Sequence, residues 1–412
     1  MSMRTETNGD VAILRNLVQR YLEACNRPAQ AERRDLWRRH NSLEPTRPLI
    51  YLRGGRAFGE VPEIRDLRCM DPFWRGYERW LQTQLFVDRC GDDSTFEPWL
   101  SVQAVHVCTG WGIEPQQQRS DDPRGSYKET PPLQDPEDIE KLRFPWHEVD
   151  EAATAERAER VGDALGDLIE VNVDRGPHYR VNGADLSTWL GHLRGIDNLM
   201  YDMMDRPQWL HRVLAFMRDG VLAAQAQAEQ AGYWGLCDHE NQAMPYAPEL
   251  PDPAANARGV ARKQLWVRMA AQELTLVSPA QHDEFMLQYQ IPIMANFGLA
   301  SYGCCEDLTR KIDMVRQIPN LRRIAVSPMA DLPRCAEQIG TDYVISWRPS
   351  PAEMVCTGFD GDRVRRATRD AIETCRGQHM DVTLKDVDTV QDDPQRMADW
   401  CRITRETIEE YA

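Results

Sequence analysis

The sequence predicts an α/β fold: a (β/α)8 TIM barrel behind a mostly helical N-terminal extension. Two observations carry that expectation. From about residue 168 onward, short apolar runs alternate with amphipathic stretches that end at glycine, which is the strand, loop, helix rhythm of a parallel sheet. Polar and nucleophilic residues gather just after those runs, at the strand ends where a barrel keeps its chemistry. With 412 residues the chain has room for one barrel and an extension. We place the extension and a capping loop at residues 1–150 and the barrel at residues 151–412.

In chain order, Ile13, Leu14, Leu17, Tyr21 and Leu22 repeat at helical spacing between about residues 10 and 27, and Phe73 to Val87 gives a second, aromatic-rich helix. Pro48 to Leu52 between them reads as a strand. The polar, proline-rich stretch from Gly112 to Pro145 reads as a long surface loop, either a lid or a solvated connection. Leu168 to Val173 is the next strand and leads into Asp174, Arg175 and Gly176. Helices follow near Leu186 to Leu193 and Trp209 to Gly232. Tyr233 to Cys237 then reads as a strand delivering Asp238, His239 and Glu240, and Gln264 to Met269 as one followed by Gln272 and Glu273. Ser278-Pro279 opens an amphipathic segment that closes at Gly298. The strand Leu299 to Tyr302 runs into Gly303, Cys304, Cys305 and Glu306. Arg323 to Ser327, Tyr343 to Trp347 and Asp381 to Lys385 complete the series.

A formal charge of −16 disfavours nucleic acid as a partner. No segment has the roughly 20 apolar residues of a membrane span, and no signal peptide opens the chain, so a cytoplasmic location is expected. Eleven cysteines form no disulfide framework; Cys25, Cys69, Cys335 and Cys401 sit in helical patterns and read as buried small hydrophobes.

Several strand-end residues are candidates for chemistry. Asp238, His239 and Glu240 cannot all point one way; His239, able to move protons or bind metal, is the favoured member, with Asp238 beside it. Glu273 reads as a general base or, equally, as a surface or capping group. Trp347 and Arg348 offer an aromatic face and a fixed cation for a planar or anionic ligand, and Arg175 and Lys385 offer further cations. Lys385 and Asp386 also fit an internal ion pair. Cys304 is either a metal ligand, together with His239, Glu273 or Asp238 if those strand ends converge, or, like Cys305, an ordinary small residue at a crowded strand end.

The run from Thr188 through Gly191, Asp205, Pro207 and Trp209 to His211 resembles the uroporphyrinogen decarboxylase superfamily, as do Ser278-Pro279, Phe285, Tyr289, Pro292 and Ile324 to Pro328 with Asp331-Leu332. The resemblance covers roughly residues 186–390 and implies a TIM barrel with its site at the carboxyl ends of the strands. The arginine-rich Met-Arg-Gln-Ala-Gly-Arg run of true uroporphyrinogen decarboxylases is absent. The resemblance is therefore closer to the corrinoid-dependent methyltransferase branch, which holds zinc on a His-X-Cys pair and a later cysteine. Here that position reads Tyr302-Gly303-Cys304, so the cysteine is kept and tyrosine replaces histidine. We count Tyr302 among the substrate-binding groups. The resemblance implies zinc on Cys304, His239 and Glu273, a corrinoid supplied by a partner protein, and methyl transfer between that corrinoid and a small methylated compound or thiol. The second reading is a metal-free decarboxylase or lyase whose carboxylated substrate is held by Arg348, Arg175 and Lys385. The long helices permit a homodimer.

Overall fold

The computed structural model describes residues 2–121, 127–180 and 183–412. Its strands in chain order are β1 (Leu49–Leu52), β2 (Trp99–Gln103), β3 (Gln116–Arg119), β4 (Tyr127–Thr130), β5 (Glu170–Asp174), β6 (Trp266–Met269), β7 (Leu299–Tyr302), β8 (Leu321–Val326), β9 (Val344–Trp347) and β10 (Met380–Leu384). Six of them form a parallel sheet in the order β1-β10-β9-β8-β7-β6. β2 and β5 form a separate parallel pair, and β3 with β4 an exposed antiparallel hairpin inside the expected surface loop.

Among the described residues no hydrogen-bonded ladder joins the pair to the larger sheet, so the parallel strands divide six and two and show no barrel closure. Other groups cover the open edges. The Ile50 and Leu52 amides of β1 each donate at 2.8 Å, to the carboxylates of Asp93 and Asp92. At β6 the Trp266 amide donates to His239 Nδ1 at 3.3 Å, and the Trp266 carbonyl accepts from the Glu240 amide at 3.4 Å. These contacts satisfy edge groups that would otherwise recruit another strand.

Two expectations for individual strands need correction. Tyr233–Cys237 is not a strand, because the Asp238 carboxylate accepts the Gly235 amide at 2.8 Å and curls the chain into a 3₁₀ turn over Leu236–Asp238. Strand β2 has no counterpart among the expected strands; its alternation, Leu100 and Val102 buried while Ser101 and Gln103 are exposed, lasts only five residues. Residues 1–150 therefore supply two parallel strands besides the helices Ser2–Cys25, Pro28–Asn41 and Pro72–Cys90. The last of these starts where Asp71 accepts the Phe73 amide at 2.9 Å and stops at left-handed Gly91, φ 74°. Its Leu81 and Leu85 pack with Leu14, Leu17, Leu100 and Val102 in a core of their own. No described helix is long and apolar enough to cross a membrane. All eleven cysteines are free, and Cys25, Cys69, Cys335 and Cys401 are buried.

The two-residue period of a strand decides what the six-stranded sheet shows on each side. Toward the surrounding helices it presents Ile50, Leu52, Val267, Met269, Ala300, Tyr302, Ile324, Val326, Ile345, Trp347, Val382 and Leu384, all within the main hydrophobic core. The intervening positions include Tyr51 and Arg53 at β1, Asp381, Thr383 and Lys385 at β10, Ser346 and Arg348 at β9, Arg323 on β8, Ser301 on β7 and Arg268 on β6, interspersed with apolar residues such as Leu49, Trp266, Leu299 and Ala325. One face is thus apolar, and the other carries the sheet's polar and ionic groups.

Near the amino ends of the strands this polar face is closed by a buried network. Arg323 donates to Asp381 at 2.6 Å and to Asn41 at 2.9 Å, while Ser346 and Thr383 each donate to Asp381 at 2.9 Å. Burial alone would raise the Asp381 pKa, but Arg323, with His40 Nε2 3.5 Å away and the hydrogen bond from Ser346, outweighs it and holds the carboxyl far below the usual range. Helix Pro28–Asn41 is pinned to the sheet through this network, since Asn41 also donates to the carbonyls of Met244 and Tyr246 at 2.9 and 2.8 Å. Asp381→Asn should leave the Arg323 cation buried without its counter-charge and destabilise the fold by about 3–5 kcal/mol at neutral pH. Denaturant unfolding checks this, and an Asp381→Leu, Arg323→Met double variant should recover part of the loss.

Candidate active site

The carboxyl ends of the six parallel strands lie along one edge, where the polar face turns reactive. Lys385 follows Asp381 and Thr383 by strict alternation and so projects on the polar side of β10. Arg348 does the same on β9 after Ser346. Cys304 reaches them because the chain bends at Gly303, whose φ of 102° lies outside the range that side chains tolerate. A Cβ there would stand 3.0 Å from Ala325 Cβ and Leu308 Cδ1, so glycine is required for close packing as well as for the bend.

Lys385 Nζ donates to Cys304 Sγ at 3.0 Å, lies 3.8 Å from Cys305 Sγ and pairs with Asp386 Oδ2 at 3.0 Å. The two sulfurs are 3.6 Å apart, and Cys305 Sγ lies 3.4 Å from Asp386 Oδ2, so its single proton goes either to the Cys304 sulfur or to that carboxylate. Arg348 is 2% exposed and donates to the Cys304 carbonyl and to the Gln242 side-chain oxygen. Buried Glu306 fixes the loop from beneath, accepting the Cys304 amide at 2.7 Å and the Ala271 amide at 2.9 Å. Gln242 and Asp386 both hold positive φ, 65° and 56°, conformations of the kind retained where a site over-determines its backbone.

The electrostatics separate the two thiols. A hydrogen bond from Cys305, together with the Lys385 and Arg348 cations, outweighs burial and pulls the Cys304 thiol well below its ordinary range. That same hydrogen bond, reinforced by burial, pushes the Cys305 thiol up. Burial lowers the Arg348 pKa and raises that of Glu306. The arrangement is a pair of adjacent sulfurs with a lysine ammonium against that of Cys304, a setting that favours the Cys304 thiolate. Beside it lies a cavity of about 400 Å³ whose wall includes Tyr51, Arg53, Thr83, Gln84, Lys385 and Asp386. It presents to a ligand two cations, Arg53 and Lys385, and one carboxylate, Asp386, which shares Lys385 with the Cys304 sulfur.

Of the residues expected from sequence, the structure brings Cys304, Arg348 and Lys385 together. Trp347 and Tyr302 are corrected: neighbours on a strand point to opposite sides, so both face the apolar core. The Tyr302 hydroxyl donates to Gln290 at 2.9 Å and lies 2.8 Å from His282 Nε2. His239 sits at the start of β6, on the wall of a different cavity, and burial lowers its pKa to about 4. Asp238 accepts from Arg180, which also bonds Asp174 at 3.1 Å, and Arg175 is paired with Glu151 at 2.8 Å. Glu273 accepts from Ser187 and lies near Asp185, whose carboxyl burial raises to about 7. Among the described residues no three His, Cys, Asp or Glu side chains are grouped to hold a metal ion. Cys304, His239 and Glu273 therefore do not fit zinc as a set, and the cation at the Cys304 sulfur is Lys385. Arg53 and Gln242 are absent from the residues expected from sequence. Arg53 was findable, since it continues the Leu49, Tyr51 alternation past the strand end, whereas Gln242 carries no sequence signal.

No protein-family model matches the chain, and no curated protein matches it in sequence. Among solved structures it is similar to a methyltransferase from Methanosarcina mazei, with a TM-score of 0.52 and 11% identity over 91% of this chain and 98% of that one. The likeness shows a shared fold.

Iodoacetamide should modify Cys304 ahead of the other cysteines at pH 6, with a rate nearly flat toward pH 8, because its thiolate is already formed. Lys385→Met should raise the Cys304 pKa and, by shrinking the thiolate fraction, slow labelling by up to about tenfold at the acid end of the series, with little change at pH 8. Peptide mass spectrometry across the pH series reads both effects.

Proposed function

We propose that this chain is a methyltransferase of the corrinoid-dependent type, in which Cys304 carries the methyl group between a small methylated compound or thiol and a corrinoid protein. The observation that supports it is the Cys304 sulfur held 3.0 Å from the Lys385 ammonium and beside Arg348 at the carboxyl ends of parallel strands, which favours its thiolate form. In the first step Cys304 Sγ attacks the methyl carbon, a sulfur–carbon bond forms, and the bond to the donor breaks with its electron pair leaving on the donor. The second step reverses this toward the acceptor. Lys385 stabilises the sulfur anion before attack and again when it departs, and Arg348 adds a fixed positive field. The site is read without zinc, because His239 lies on the wall of a different cavity, Glu273 accepts from Ser187, and Lys385 stands at the Cys304 sulfur. The M. mazei neighbour, by name a methyltransferase, agrees with this reading through its fold.

A (β/α)8 barrel is part of the same proposal. β2 and β5 would complete the ring of parallel strands, placing their carboxyl ends on the rim that carries Cys304. The specific observation favouring the second reading, a decarboxylase or lyase for a carboxylated substrate, is that Arg53 and Lys385 line one cavity. In that case Cys304 forms no bond to substrate.

Incubation with methylcobalamin, standing in for the methylated partner, should add the net mass of one CH2 to the Cys304 peptide. Cys304→Ser should abolish the gain, and Lys385→Met should slow it roughly 10²-fold at neutral pH through loss of electrostatic stabilisation. Turnover of a carboxylated substrate that survives Cys304→Ser but is lost in Arg53→Met would favour the lyase instead.

A further inference from the structure

Between helix Pro72–Cys90, strand β2 and the chain from Leu236 to Tyr246 lies a second cavity, of about 680 Å³. Its wall is largely aromatic and aliphatic, with Tyr77, Trp80, Trp99, Leu100, Val102 and Pro245 among its residues. That size and lining belong to sites for small organic molecules rather than to packing voids. It opens outward beside Gly76 and Trp80, the latter 38% exposed. Gln84, Thr95 and Met244 line both this cavity and the smaller one at Lys385. The Thr95 amide and hydroxyl contact Met244 Sδ at 3.3 and 2.9 Å, so part of the boundary is a flexible thioether that can re-pack.

We infer that the two cavities together form the binding site for one amphipathic anion, an aromatic or similarly apolar body in the larger cavity and an anionic group against Arg53 and Lys385 in the smaller. The apolar body gains by leaving water for the aromatic wall, and the anion meets Arg53 first, with Lys385 shared between it, Asp386 and the Cys304 sulfur. The assignment rests on the proposed function only for what happens at Cys304, since binding requires neither methyl donor nor partner. It names a substrate class for that site.

Gly76 offers a clean way to fill the cavity. A Cβ built there meets nothing within 4 Å, and glycine in a helix interior is the less stable choice, so a larger residue should fold. Calorimetric titration of the full chain with naphthylacetate and with its uncharged analogue naphthylacetamide tests the inference. The acid should bind about tenfold or more tightly than the amide, a preference that Arg53→Met removes, and Gly76→Phe should weaken the acid by a similar factor. Equal binding of acid and amide, or binding unchanged by Gly76→Phe, would overturn it. So would a preference abolished by Arg157→Met in place of Arg53→Met, because Arg157 lies on the wall of the larger cavity and would hold the anion in the opposite sense. Binding as described with no methyl uptake by Cys304 leaves this site standing and removes the methyl-transfer reading; methyl uptake without binding does the reverse.

Discussion

Arg348 is a guanidinium taken out of water whose two hydrogen-bond partners are both neutral, the Cys304 carbonyl and the Gln242 amide oxygen. A buried cation of that kind is costly unless negative charge stands close by. Cys304 as a thiolate and the Glu306 carboxyl are the anionic groups that favour its charge. The local architecture follows from this. Gly303 bends to bring Cys304 across, Glu306 anchors the Cys304 amide, and Lys385 takes the side of the sulfur that would otherwise face water. Lys385 also has the Asp386 carboxylate, whereas the cations near Arg348 are Arg268 and Arg53, so it is Arg348 that gains most from negative charge at Cys304.

The scaffold holds that cluster still from the opposite end of the strands. Asp381 and Lys385 stand on the same face of β10, four residues apart, so the Arg323–Asp381–Asn41 network fixes the register of the strand that presents the lysine. Asn41 and Trp37 come from the N-terminal helix Pro28–Asn41, and Trp37 donates to the Asp93 carbonyl at 2.7 Å, next to the carboxylates that cover the edge of β1. The N-terminal residues are thus built into the sheet's polar face.

How much of this is legible in the sequence follows from what each feature depends on. Helices with long apolar stripes and buried strands such as Arg323 to Ser327 declare themselves by period and composition, and they lie where the pattern puts them. Cys304, Arg348 and Lys385 are legible because residues just past a strand end in a parallel sheet share one edge. Local pattern misleads at the remaining positions. Trp347 and Tyr302 sit beside true site residues in sequence, but the strand period sends them to the other side. His239 follows an apolar run that looks like a strand and is not one, since Asp238 curls the chain at Gly235. Gln242, which reaches Arg348 from a coil with positive φ, depends on tertiary packing that no local pattern encodes.

The methyl-transfer reading turns on Cys304 being ionised at neutral pH, and the most direct measurement is the ultraviolet absorbance of the thiolate, titrated as a difference between wild type and Cys304→Ser. The difference signal should already be at its plateau at pH 7 and fall only in acid. A signal that appears only near the ordinary thiol value of about 8.5 would show a protonated Cys304 in the resting protein and contradict the proposal.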